Sequence, residues 1–293
     1  MKGNHYSDNR RRRRKPIYVK KRRRRKRTST VIAVLLICLI LIAGAGAVGF
    51  FILQYTGELF AEDLCVASED VSLDGVEADP GFHGEGLFNI ADSQIKYGYK
   101  LFDKLYPAST TKVMTAYLAL KYGNLDDVVT MSATSTNFNW DESTCGLSEL
   151  MNTEAKQLGA TGTHFVNPHG LHDENHYTTT YDLYLMFNEA LKDQAFLDII
   201  SMNSYTAKVT SADGTSYTPT WQATNYYSAG EATPPDGIHV YGGKTGTTDQ
   251  AGNCVILYEK NTAGEPYISV IMGASDKPLL YEEMNELLDA GMK

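Results

Sequence analysis

Val31 to Leu53 is a run of 23 residues without a charge. A helix rising about 1.5 Å per residue makes such a run long enough to cross the roughly 30 Å hydrocarbon layer of a bilayer. Ahead of it stand Arg10 to Lys15 and Lys20 to Arg27, and every arginine of the chain lies in this tail. Alone, the tail would suit a nucleic-acid arm. Followed by the apolar run, it is expected to hold the amino end in the cytoplasm against anionic headgroups. Residues 1–30 are thus expected to be a basic cytoplasmic tail and 31–53 a transmembrane helix, making a single-pass protein of the cell membrane. Ala43, Gly44, Ala45 and Gly46 offer a signal-peptide cleavage site as the alternative. The run continues through Val48, Phe50, Phe51, Ile52 and Leu53, longer than a signal core needs, so an uncleaved anchor is expected.

Beyond residue 27 the balance reverses, with 12 lysines against 34 acidic residues. Such a surface favours solubility outside the cell and excludes nucleic acid as a partner of that part. The roughly 240 residues after the membrane run suffice for one large domain or two small ones. Cysteines decide little. Cys38 sits in the membrane run, and Cys65, Cys145 and Cys254 form an odd set without metal-ligand spacing. Cys254, flanked by Val255, Ile256 and Leu257, reads as a buried small hydrophobe. A Cys65 to Cys145 disulfide is open to a domain outside the cytoplasm but not derivable from sequence.

Residues 54–85 are acidic and poor in pattern, and an acidic stalk is expected there. Gly86 to Phe102 alternates in a way that predicts a strand pair. Pro107 and the apolar spacing after it predict a helix, ended by Gly123 and Asn124. Val128 to Met131 reads as a short extended piece and Ser132 to Cys145 as polar loop. Helices are predicted from Ser148, as cap, to Leu158, from Thr179 to Leu191, from Gln194 to Met202 and from Pro278 to Ala290. Strands are predicted near 204–209, 215–221, 252–260 and 267–273. Strands and helices in separate blocks indicate an α+β fold with an antiparallel sheet flanked by helices.

Ser109 and Lys112 lie in the first turn of the Pro107 helix, three residues apart and on one face. A serine hydroxyl becomes a nucleophile when a base takes its proton, and an amine one turn away can do so if kept neutral. A lone S-x-x-K is ordinarily a helix cap with a solvated lysine. The second stretch, Tyr241 to Thr248, changes that. Gly242, Gly243 and Gly246 let backbone approach a ligand, and Lys244 with two hydroxyl neighbours suits a carboxylate. The P-loop order is absent, because Gly242 and Gly243 directly precede Lys244.

S-x-x-K at a helix start followed much later by K-T-G is the pairing of penicillin-binding proteins and serine β-lactamases. With Leu105 to Lys112, Thr163 to Leu171 (T-H-F-V-N-P-H-G-L) and Gly243 to Gly252, the chain resembles the D-alanyl-D-alanine carboxypeptidases of that group over about residues 86–291. The resemblance implies a D,D-carboxypeptidase-like domain over 86–293, of penicillin-binding protein/serine β-lactamase-like fold, outside the cytoplasm. It implies Ser109 as the acylated nucleophile and Lys112 as its general base, with pKa lowered by desolvation and by Lys244. Lys244, Thr245, Gly246 and Thr247 would bind substrate, and the N–H groups of Ser109 and Thr247 would form the oxyanion hole. The partners so implied are a peptidoglycan stem peptide and, as inhibitors, β-lactams. No cofactor is expected. The carboxy-terminal β domain of some relatives is expected to be lacking.

The family's third motif, S-x-N, is missing, because Cys145, Gly146 and Leu147 run straight into Ser148 where relatives have several tens more residues. A truncated helical subdomain is expected, and with it an alternative function: binding of wall peptides without efficient turnover. Ser135 to Asn137 and Ser201 to Asn203 match formally but are poor substitutes. His164, His169, His172 and His176, with Asp173 and Glu174, form a polar cluster whose spacing fits no zinc motif, so no metal is expected; the resemblance implies that this stretch is a loop bordering the site.

Overall fold

A computed structural model describes residues 64–127, 146–211 and 213–293. The basic tail, the Val31 to Leu53 run, Val128 to Met131, Ser135 to Asn137 and Cys145 lie outside the described residues. Among the described residues no helix is long and apolar enough to cross a membrane.

The centre is a five-stranded antiparallel sheet. Strands β1 (Gly84–Asn89) and β2 (Gln94–Tyr99) form the predicted pair. β7 (His239–Thr248), β8 (Gly252–Lys260) and β9 (Pro266–Ala274) form a second meander, and the order across the sheet is β2-β1-β9-β8-β7. The earliest strand therefore pairs with the latest, Leu87 standing opposite Ser269. Between them the chain forms helices α1 (Lys112–Tyr122), α2 (Leu147–Gln157), α3 (Thr180–Ala190) and α4 (Gln194–Ile200). Two small hairpins follow, β3 (Ser204–Thr206) with β6 (Thr220–Gln222) enclosing β4 (Val209–Thr210) with β5 (Ser216–Tyr217). A short helix α5 (Tyr226–Ala229) precedes β7, and α6 (Lys277–Gly291) closes the domain.

Both faces of the sheet are covered, which explains the unbroken apolar run in β8. Cys254, Ile256 and Tyr258 enter the core shared with α1 and α3, whereas Val255 and Leu257 enter the core beneath α6. α3 is buried nearly all round; its Tyr184 stacks on Phe88 at 4.1 Å between ring centroids. The predicted Thr179 cap is present, accepting from the Asp182 N–H at 3.0 Å. α1 and α2 are joined through the buried Glu154 carboxylate, which accepts from Lys121, Tyr117 and Tyr122.

Two expectations are corrected. The described part of the acidic stalk, residues 64–85, is laid on the domain rather than standing off it. Cys65 and Phe82 are fully buried, Val71 pairs with Gly98, and Asp70 accepts from the Lys100 and Leu101 N–H groups at 2.9 and 3.1 Å. Buried anchors override the acidic, patternless composition. The α2 cap is Gly146 at φ 60°, with Ser148 inside the first turn. Gly123 ends α1 as expected, in an extended conformation at φ −90°.

Beneath α6 lies Glu259, fully buried, its Oε1 bonded by Ser269 and its Oε2 without a hydrogen-bond partner. Burial raises its pKa from 4.5 to about 8. A carboxyl protonated in the fold and ionised in the unfolded chain contributes stability that is complete below about pH 4.5 and is lost as pH rises through about 8. Glu259→Gln should therefore flatten the fall in unfolding midpoint between pH 5 and pH 8. An unchanged slope would show that Glu259 ionises freely in place.

Candidate active site

Ser109 lies in a single 3-10 turn, Ala108–Thr111, that runs directly into α1. Lys112 opens that helix, and its Nζ donates to Ser109 Oγ at 2.9 Å. The second partner of Nζ is the His169 carbonyl, which Ser109 Oγ also approaches at 3.4 Å. That carbonyl is presented by the predicted loop. Asn167 Oδ1 accepts from Gly170 N–H at 2.7 Å, Asn167 Nδ2 donates to Leu171 O at 3.0 Å, and Thr115 Oγ1 ties Pro168 O to α1 at 2.6 Å.

The late strand closes the site from the other side. On β7, Lys244 and Gly246 share a face, and a Cβ on Gly246 would fall 2.7 Å from Ser109 N and 2.9 Å from Pro107 O. Only glycine lets the strand lie this close to the turn. Gly170 does the same from the opposite direction: its φ is 84°, and a Cβ there would fall 1.8 Å from Ala108 O. The glycines of two separate motifs thus bracket the turn that carries the serine.

Burial lowers the pKa of Lys112. The larger displacement falls on Lys244, which burial first and the charge of Lys112 second bring down to about 8. The expected lowering of Lys112 by Lys244 is not found, since burial is the cause at Lys112; the charge of Lys112 acts on Lys244 instead. Lys244 Nζ donates to Thr245 O at 2.5 Å. Thr245 Oγ1 lies 2.6 Å from Thr224 Oγ1, while the Thr247 hydroxyl donates to Asn253 Oδ1 at 3.0 Å. Thr247 is thus turned toward β8, and Thr224, which carried no signal in the sequence, supplies the hydroxyl beside Thr245.

The formal Ser201 to Asn203 match lies at the end of α4. Its Ser201 hydroxyl is spent on Leu197 O at 2.7 Å, and the Asn203 carbonyl accepts from Ala223 N–H. The histidines border the site as a loop. His164 Nδ1 meets Asn175 O at 2.6 Å, His169 Nδ1 accepts from Leu171 N–H at 3.1 Å, His172 packs edge-on against Tyr106, and His176 is buried. Among the described residues no three histidine, cysteine or acidic side chains converge to hold a metal ion. Cys254 is buried as expected, and Cys65 Sγ, also buried, donates to Asn89 O at 3.4 Å.

Residues 143–276 match the family model described as D-alanyl-D-alanine carboxypeptidase. Curated relatives include the D-alanyl-D-alanine carboxypeptidase of Streptomyces sp. strain K15, 27% identical over 142 residues, which are 48% of this chain and 46% of that protein. DacA of Haemophilus influenzae, a D-alanyl-D-alanine carboxypeptidase, is 28% identical over 232 residues, 64% of this chain and 55% of its own length. The chain thus spans about half the length of these curated relatives. Among solved structures, a mutant of the Streptomyces K15 DD-transpeptidase shares the fold with a TM-score of 0.65 at 20% identity, covering 73% of this chain and 99% of that one. The chain is therefore similar to the D-alanyl-D-alanine carboxypeptidase family over residues 143–276, and its α+β fold with an antiparallel sheet is shared with the Streptomyces K15 DD-transpeptidase.

Two outcomes test the geometry. Gly246→Ala should displace the Ser109 turn and lower stability by at least about 2 kcal/mol, since backbone rather than a flexible side chain meets the new methyl; a wild-type melting midpoint would contradict it. Lys112→Met should raise the pKa of Lys244, read by NMR titration of its side chain. An unmoved value would show that the two amines do not share a field.

Proposed function

We propose that this chain is a serine-type D-Ala-D-Ala carboxypeptidase acting on peptidoglycan stem peptides outside the cytoplasm, held to the membrane by Val31 to Leu53. One observation carries the reading: Lys112 Nζ stands 2.9 Å from Ser109 Oγ, on the turn that the Lys244 strand approaches at Gly246. A neutral Lys112 takes the hydroxyl proton as Ser109 Oγ bonds to the carbonyl carbon of the penultimate D-alanine. The oxyanion so formed is met by the N–H groups of Ser109 and Thr247. Its collapse breaks the peptide bond, and the proton passes from Lys112 to the departing D-alanine amine. Water, giving a proton to Lys112, then attacks the ester and frees Ser109. Lys244 and Thr245, with Thr224, hold the terminal carboxylate; β-lactams acylate the same serine.

Support comes from the shared fold, the family match over residues 143–276 and the close approach of the Gly246 backbone to the Ser109 turn. The missing S-x-N segment keeps a second reading in play, a protein with a cut-short helical subdomain that binds wall peptides without efficient turnover. The full chain incubated with fluorescent penicillin should carry one adduct, mapped by mass to Ser109 and lost in Ser109→Ala. Lys112→Ala should slow its formation by about 10²–10⁴-fold. An adduct that survives Ser109→Ala refutes the assignment. Release of D-alanine from a synthetic pentapeptide separates turnover from binding alone.

A further inference from the structure

Beneath the candidate nucleophile lies a buried histidine that the mechanism above does not use. His176 is 1% exposed and sits on the inner side of the turn, its ring tilted against Phe165. The Val166 N–H donates to its Nδ1 at 3.0 Å, so Nδ1 carries the lone pair. In the neutral ring the proton is then on Nε2, which faces Thr111 Oγ1 at 2.8 Å. Burial keeps the ring neutral, lowering its pKa to about 4.

The tautomer gives the chain of bonds a direction. Nε2–H donates to Thr111 Oγ1, and the Thr111 hydroxyl proton is left to donate to Ala108 O at 2.8 Å. Ala108 is the residue directly before Ser109. Its φ is 46°, a left-handed conformation that an L residue with a Cβ resists. Its carbonyl is held from outside by Gly170 and from inside by Thr111. Thr110 Oγ1 adds a second inward bond, to Pro107 O at 2.6 Å. Lys112 and Ser109 follow on the same turn, so their alignment depends on where that carbonyl points.

We propose that His176, acting through Thr111, is a positioning residue that keeps the Ala108 peptide in its left-handed setting and so aims the Ser109 hydroxyl and N–H into the site. The bond order requires a donor at Nε2 and a hydroxyl at 111. It requires nothing of substrate contact.

The kinetic arm rests on the carboxypeptidase reading, and a spectroscopic arm does not. In the full chain, saturation kinetics with a fluorescent penicillin should show Thr111→Val and His176→Leu slowing the acylation step at least about tenfold with little change in half-saturating concentration, as expected of misalignment rather than lost binding. Thr111→Ser and His176→Gln, which keep the hydroxyl and the donor, should retain most of the rate. Folded Thr111→Val acylating at the wild-type rate would overturn the proposal. Should His176→Leu not fold, the Thr111 pair decides.

Nitrogen NMR of the 15N-histidine-labelled chain should find His176 protonated at Nε2, and a ring protonated at Nδ1 overturns the proposal. The 15N-labelled Ser109 amide should shift in Thr111→Val and hold its place in Thr111→Ser; no shift in either overturns it. If wild-type protein takes no penicillin, the carboxypeptidase reading falls while these two signals still decide the positioning role.

Discussion

The approach of β7 to the Ala108–Thr111 turn is the contact on which the rest depends. Gly246 faces the Ser109 backbone with no side chain between, and Gly170 faces Ala108 in the same way from the opposite side. A methyl at either position would meet peptide atoms, which cannot swing aside as a side chain can. With the turn fixed between them, a lysine from the start of α1 and a lysine from β7 come near enough for the charge of the first to act on the second, and burial drives each toward its neutral form.

This candidate site differs in character from the chain around it. Outside the amino-terminal tail the protein is strongly acidic, yet the site is built from ammonium groups, hydroxyls and backbone carbonyls. On the proposed reading, ammonium groups gathered within an acidic chain favour a carboxylate at short range while the acidic bulk keeps polyanions away. The sheet makes this arrangement rigid. Its central strands are buried on both faces, and its amino-terminal pair closes on the carboxy-terminal meander, so the site strand β7 hangs on a fully covered framework.

Several elements were legible because local rules specify them. Pro107 with the following apolar spacing marked α1, Thr179 with Asp182 marked the start of α3, and the period of two around Ile95 marked β1 and β2. Others were not. β7 runs from His239 to Thr248 through three glycines, which local propensity reads as a turn; its strand character comes from pairing with β8. Residues 64–85 read as a stalk because acidic composition carries no sign of Cys65 and Phe82 being swallowed by the core. Thr224 gave no signal at all, since a threonine in a loop is marked only by what it meets.

The order of chemistry-bearing residues belonged to the sequence alone: S-x-x-K at a helix mouth, K-T-G far downstream, and the acidic bulk set apart from a basic tail by an uncharged run. Spacing within a helical turn is local, so Ser109 and Lys112 could be paired without a fold. Tertiary structure decided which groups from distant segments reach them. The His169 carbonyl, the Gly170 and Gly246 clearances and the His176 to Thr111 bond each join residues tens of positions apart. Such meetings follow from sheet order and loop closure, which are properties of the whole packed chain.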